Sequence, residues 1–146
     1  MIKPYYILIL VLSLSVIGWG CKHGETDTYP IQTDYFDFAY SNSWSGNNKL
    51  YRIEAGNVFV LDSFKTPLGA LKFNTAQKLI LDLPSFLLQH PNQDFLCSGC
   101  ADQPGIFIRC SIAGTIYQWS IDDVPETIPN ELRGYVNEVI SISNQM

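Results

Sequence analysis

Ile106-Phe107-Ile108-Arg109-Cys110-Ser111-Ile112, then Ala113-Gly114, then Thr115-Ile116-Tyr117-Gln118-Trp119-Ser120-Ile121 is the segment from which the architecture can be read. Side chains along a strand point alternately to two faces, so Ile106, Ile108, Cys110 and Ile112 share one face while Phe107, Arg109 and Ser111 share the other. Ala113-Gly114 interrupts the alternation over two residues, the length of a tight hairpin turn. The segment is therefore predicted to be two antiparallel strands with one face turned to a core.

Upstream, Phe36, Phe38 and Tyr40 alternate with Asp37 and Ala39, which predicts a strand from Tyr35. Ser41 to Asn48 reads as a loop, rich in Ser, Asn and Gly and carrying Trp44. Lys49–Glu54 and Asn57–Ser63, split by Ala55-Gly56, form a second hairpin signal and complete a three-stranded meander. A helix is expected next, capped by Asn74 or Thr75, with Ala76, Leu79, Ile80 and Leu83 on one stripe. Pro84 ends it and suits the first turn of a short second piece over Ser85–Gln89. Downstream, Pro129 opens a terminal helix whose apolar stripe is Leu132, Tyr135, Val136, Val139 and Ile140. The expected order is β-β-β-α-β-β-α, an α+β two-layer sandwich with an antiparallel sheet and helices on one face. Residues 35–146 are expected to make a single domain.

The first twenty residues are of a different kind. Lys3 precedes an apolar run from Tyr5 to Ile17, and Gly18-Trp19-Gly20 precedes Cys21. A positive start, a short apolar stretch and a small-x-small site describe an export signal over residues 1–20. A spanning helix needs roughly 20 apolar residues, more than this run supplies. Gly20-Cys21 resembles the lipobox of bacterial lipoproteins, whose cysteine receives a diacylglycerol and becomes residue one of the mature chain. That likeness implies lipidation of Cys21 and a place at the cell envelope, with the outer membrane the expected one; the polar leader after it, with almost nothing to bury from Lys22 to Thr28, reads as a flexible tether over residues 21–34. Secretion after cleavage at Gly20 and an uncleaved anchor are the competing readings.

The chain is acidic, with 9 Lys and Arg against 14 Asp and Glu and a formal charge of −5. Its basic residues stand singly, without a stripe of Lys or Arg interleaved with aromatics, so nucleic acid is not an expected partner. No Gly-x-Ser-x-Gly elbow occurs, and no nucleophile, base and oxyanion donors converge in the pattern. Neither a catalytic residue nor a cofactor is expected. Asp122-Asp123 reads as a solvated strand end whose two carboxylates face opposite ways, and Asp102 as a turn residue bonding its own loop.

With Cys21 acylated, Cys97, Cys100 and Cys110 remain. Export favours a disulfide between any close pair. Cys97–Cys100 within one turn is the expected bridge, leaving Cys110 free and buried as a small hydrophobe; a bridge from either loop cysteine to Cys110 is the alternative. A thiol redox pair would need the strand-to-helix setting that stabilises a thiolate, whereas Ala101–Gly105 leads into a strand. A zinc site from His90, Cys97, Cys100 and Cys110 has suitable ligand types but lacks a second Cys-x-x-Cys knuckle; no metal is expected, and His90, at a helix end, reads as solvated. Trp44, among small polar neighbours, is a candidate for ligand contact, against a packing role over the sheet edge.

Cys97-Ser98-Gly99-Cys100-Ala101-Asp102-Gln103-Pro104-Gly105, the hairpin after it, and Ile128-Pro129-Asn130-Glu131-Leu132 resemble a group of small lipoproteins of Gram-negative bacteria, with a fainter echo in Tyr40-Ser41-Asn42-Ser43-Trp44. The resemblance implies an envelope address and the cysteine loop as a unit, and it implies no activity. The expectation is therefore a lipid-anchored, non-catalytic binding or accessory module with a protein, peptide or glycan partner. The alternative is an envelope thiol redox or metal-binding protein built on Cys97 and Cys100.

Overall fold

The structure, a computed structural model, describes residues 31–41, 49–62, 65–97 and 103–146. The export segment, Cys21, most of the tether, Trp44, Cys100 and Asp102 lie outside the described residues. No described helix is long and apolar enough to cross a membrane.

Six strands, β1 (Thr33–Ser41), β2 (Leu50–Glu54), β3 (Asn57–Val60), β4 (Thr66–Pro67), β5 (Gly105–Ile112) and β6 (Thr115–Asp122), form one antiparallel sheet in the order β4-β3-β2-β1-β5-β6. The fold is mixed α+β. Both Ala-Gly pairs make the tight turns their spacing predicts. Ala55 (φ 48°) with Gly56 (φ 74°), and Ala113 (φ 50°) with Gly114 (φ 77°), hold positive φ at both central positions. Such turns match the twist of the strands they join. β1 is central because β5 pairs along its whole length, with Phe36 opposite Cys110 and Phe38 opposite Ile108. It begins at Thr33, inside the expected tether, and Ile31 already packs on the core.

One parity of the strands builds the core: Phe36, Phe38, Tyr51, Ile53, Val58, Ile106, Ile108, Cys110, Trp119 and Ile121 are buried. Removing a large apolar side chain from water stabilises by roughly 1.5–3 kcal/mol, so this face drives the collapse. Trp119 is fully buried, and its Nε1–H donates to the His90 carbonyl at 2.9 Å, which satisfies the one polar atom of the ring.

The helices differ from expectation at their start. Helix α1 spans Ala70–Ala76 behind Gly69 (φ 86°), so Asn74 and Thr75 lie inside it and cap nothing. Thr75 Oγ1 instead donates to the Leu71 carbonyl. A glycine in the left-handed region turns the chain out of β4 directly into the helix, an option that a search for a Ser, Thr, Asn or Asp cap passes over. Gln77 separates α1 from α2 (Lys78–Leu81), and α3 covers Ser85–Gln89. Ala76, Leu79 and Leu83 of the expected stripe are buried, while Ile80 is half-buried. Helix α4 (Asn130–Gln145) buries Leu132, Tyr135, Val136, Val139 and Ile142 and packs on β1 and β5. Tyr135 Oη donates to the Leu79 carbonyl at 2.7 Å and ties α4 to α2. The observed order therefore adds β4 and divides the first helix, relative to β-β-β-α-β-β-α.

Both sheet edges are protected. β4 is two residues long and contains Pro67, which cannot donate to a further strand. Along β6, Asn92 Oδ1 accepts the Gln118 amide at 2.9 Å and Asp94 Oδ1 accepts that of Ser120 at 3.1 Å. Phe95 then bridges to Ile121 in parallel, so residues 92–97 act as a cover over the edge.

Candidate functional site on the outer sheet face

The strand parity opposite the core sets Tyr35, Asp37 and Ala39 on β1, Arg52 on β2, and Phe107 and Arg109 on β5 on the outer face. Asp37 is opposite Arg52 across one side of β1 and opposite Arg109 across the other. Two long cations thus reach one short anion on the central strand. Arg52 grips both carboxylate oxygens, Nε to Oδ1 at 2.6 Å and Nη2 to Oδ2 at 2.9 Å. Arg109 places Nε and Nη2 on Oδ2, at 2.9 and 2.6 Å. The Asp37 side chain is 0% exposed although it stands on the outer face, whereas those of Arg52 and Arg109 keep 22% and 33% of their surface. The guanidinium of Arg52 also lies 4.2 Å from the centre of the Tyr35 ring, and that of Arg109 5.9 Å from the Phe107 ring. The bonds to Asp37 raise the Arg52 pKa further, so this cation is permanent.

A guanidinium carries five N–H donors, and each arginine commits its Nε and one Nη to Asp37. Nη1 of Arg52 faces Glu54 at 4.0 Å, and the bonds of Arg109 to Asp37 run through Nε and Nη2 and leave Nη1 clear of that carboxylate. With Glu54 beside Arg52 and Lys65 on Glu54, three cations stand against two anions on this part of an acidic protein.

Two residues along β1 and β5 from this trio, a hollow of about 180 Å³ opens on the same face. Ala39, Ser41, Gly105 and Ser120 line it with little side-chain bulk, and Phe107, Leu96, Gln103 and Asp122 rise around it. Gly105 is required there: a Cβ would stand 2.8 Å from the Ile121 carbonyl oxygen. Asp122 accepts the Cys97 amide through Oδ2, which pins the covering segment beside the hollow.

No family model, curated protein or solved structure matches the chain.

Several sequence readings change. Asp122 is buried and bonded, and Asp123 accepts the Tyr40 hydroxyl at 3.1 Å, so neither is a solvated strand end. Burial, followed by that carboxylate, raises the Tyr40 pKa. The two aspartates do serve opposite faces, as alternation requires. His90 is half-buried, stacks on Phe86 with ring centres 4.2 Å apart and bonds its carbonyl at 2.8 Å, so it is a packing residue and is not solvated. Cys110 is free and buried on the core face, which rules out a bridge to it, and Cys97 is disulfide-bonded. Burial, then the charge of Asp37, pushes the Cys110 thiol up to about 11. Among the described residues no three His, Cys, Asp or Glu side chains gather as metal ligands, so His90, Cys97 and Cys110 are not one cluster. Trp44 and Cys100 lie outside the described residues.

The Asp37–Arg52–Arg109 trio escapes a linear reading because its members are 15 and 72 residues apart. One signal was present: an ionisable residue in the middle of an aromatic strand, Tyr35-Phe36-Asp37-Phe38, demands a cationic partner from a neighbouring strand.

Proposed function

We propose that the chain is a lipid-anchored envelope protein, acylated on Cys21, whose folded domain is a non-catalytic binding module using the outer sheet face. The domain is a two-layer α+β sandwich with its helices on the core face, a reading supported by the one parity on which the strands bury their apolar side chains and by α4 on β1 and β5. The observation that carries the binding role is the outer face itself, where a built ion trio and a small-residue hollow stand side by side. In this reading Cys100 is the partner of Cys97, since Cys110 is free and Cys21 is acylated. The bridge then does no redox chemistry.

The placement of the strand ends supports the same reading. The tether enters at Thr33, beside the two hairpin tips, whereas Ser41, Gly105 and Asp122 mark the far end. Eight residue rises along β1 set Ser41, at the hollow, about 27 Å from Thr33, where the chain enters the sheet.

Photo-crosslinking side chains placed in living cells at Gln118, on the outer face, and at Glu131, on α4, test the proposal. Adducts from Gln118 and none from Glu131 are expected; adducts from Glu131 alone, or equally from both, contradict it.

A further inference from the structure

We infer that the outer face binds an acidic sugar, with its carboxylate on Arg109 and Arg52 and its ring in the adjoining hollow against Phe107. This deepens the binding-module reading and rests on it. Three features converge. The first is charge complementarity: Arg52, Arg109 and Lys65 stand against Asp37 and Glu54, and the bonds of Arg109 to Asp37 leave its Nη1 group for a planar, two-oxygen acceptor, which a guanidinium suits better than an ammonium does. The second is spacing. Phe107 and Arg109 are two residues apart on one face of β5, and the Arg109 guanidinium lies 5.9 Å from the centre of the Phe107 ring, so a sugar ring against the aromatic brings its rim carboxylate to the cation. The third is the lining of the hollow. Ala39 leaves room for a ring, while Ser120 and Gln103 bring hydroxyl and amide groups to its edge beside the buried, already bonded Asp122. An apolar peptide side chain would offer Ser120 and Gln103 no hydrogen bond in place of water; a polyhydroxylated ring would bond them.

The test uses the mature protein in detergent micelles, with the Nε–H signals of Arg52 and Arg109 and the amide signals of Gly105 and Ser120 as reporters. Glucuronate is titrated against glucose and acetate. Glucuronate is expected to shift all four signals at millimolar concentration, glucose to bind at least tenfold more weakly, and acetate to move the arginine signals alone. Phe107→Leu keeps apolar bulk and removes the ring, and is expected to weaken glucuronate about fivefold without changing acetate. Arg109→Lys should weaken both anions. Acetate binding as tightly as glucuronate, or Phe107→Leu without effect, overturns the sugar while leaving the outer face as the binding surface. Shifts from all three probes elsewhere, with the four reporters unmoved, overturn both readings.

Discussion

Asp37 is the residue on which the outer face turns. A carboxylate with no exposed surface is tolerated because four N–H groups from two arginines replace its water. Asp37→Asn keeps the shape but leaves two guanidiniums crowded without their anion, so it is expected to destabilise the fold by about 3 kcal/mol in urea unfolding, the lower end for breaking a buried pair because the arginines retain some water. A loss below 1 kcal/mol would show the trio to be ornamental. Cys110 is the other informative residue. Buried among apolar groups with its thiol pushed up to about 11, it stays protonated and unreactive at neutral pH. Iodoacetamide at pH 8 should leave it unmodified in the native protein and alkylate it after unfolding.

At the scale of the element, the edge of β6 carries a specific device. Asn92 and Asp94 each accept an amide that would otherwise be offered to another strand. Replacing both with Ala is expected to cost about 2 kcal/mol and to speed hydrogen exchange at Gln118 and Ser120 ahead of the rest of β6. Elements whose signal is local were legible in the sequence. The two Ala-Gly hairpins, the Phe36–Phe38 strand and the stripe of α4 each declare themselves within a dozen residues. Elements whose cause is distant were not. β4 exists because two residues pair with β3, and α1 starts at Gly69 on backbone conformation without any side-chain cap. The site was legible in part for the same reason: alternation put Asp37 and Arg109 opposite their core-facing neighbours, but only the β1–β5 register brings them together.

For the whole molecule, the buried acids that lose a proton at high pH set the alkaline limit. Cys110 and Tyr135 are both raised by burial first, and Tyr40 and Tyr51 shift the same way. A raised pKa means that the folded state holds its proton more tightly than the unfolded state. The resulting stability is full below the unfolded value, about 9 for the thiol, and is lost as pH rises through the folded value near 11. Melting temperature should fall across that window, and Cys110→Val should lessen the fall. In acid the sign reverses for Asp34, lowered by its bonds from Ser111 and Gly114: what it contributes is lost as pH drops below the ordinary carboxylate range. The proposed anchor gives the wider arrangement, with the chain entering at one end of β1 and a hollow at the other, its sense: the hollow is held away from a lipid surface. The most direct measurement is the mass of the N-terminal peptide of the protein purified from its own membranes. A peptide beginning at Cys21 and carrying a diacylglycerol is predicted; a chain that keeps Met1, or an unmodified Cys21 thiol, would contradict the account.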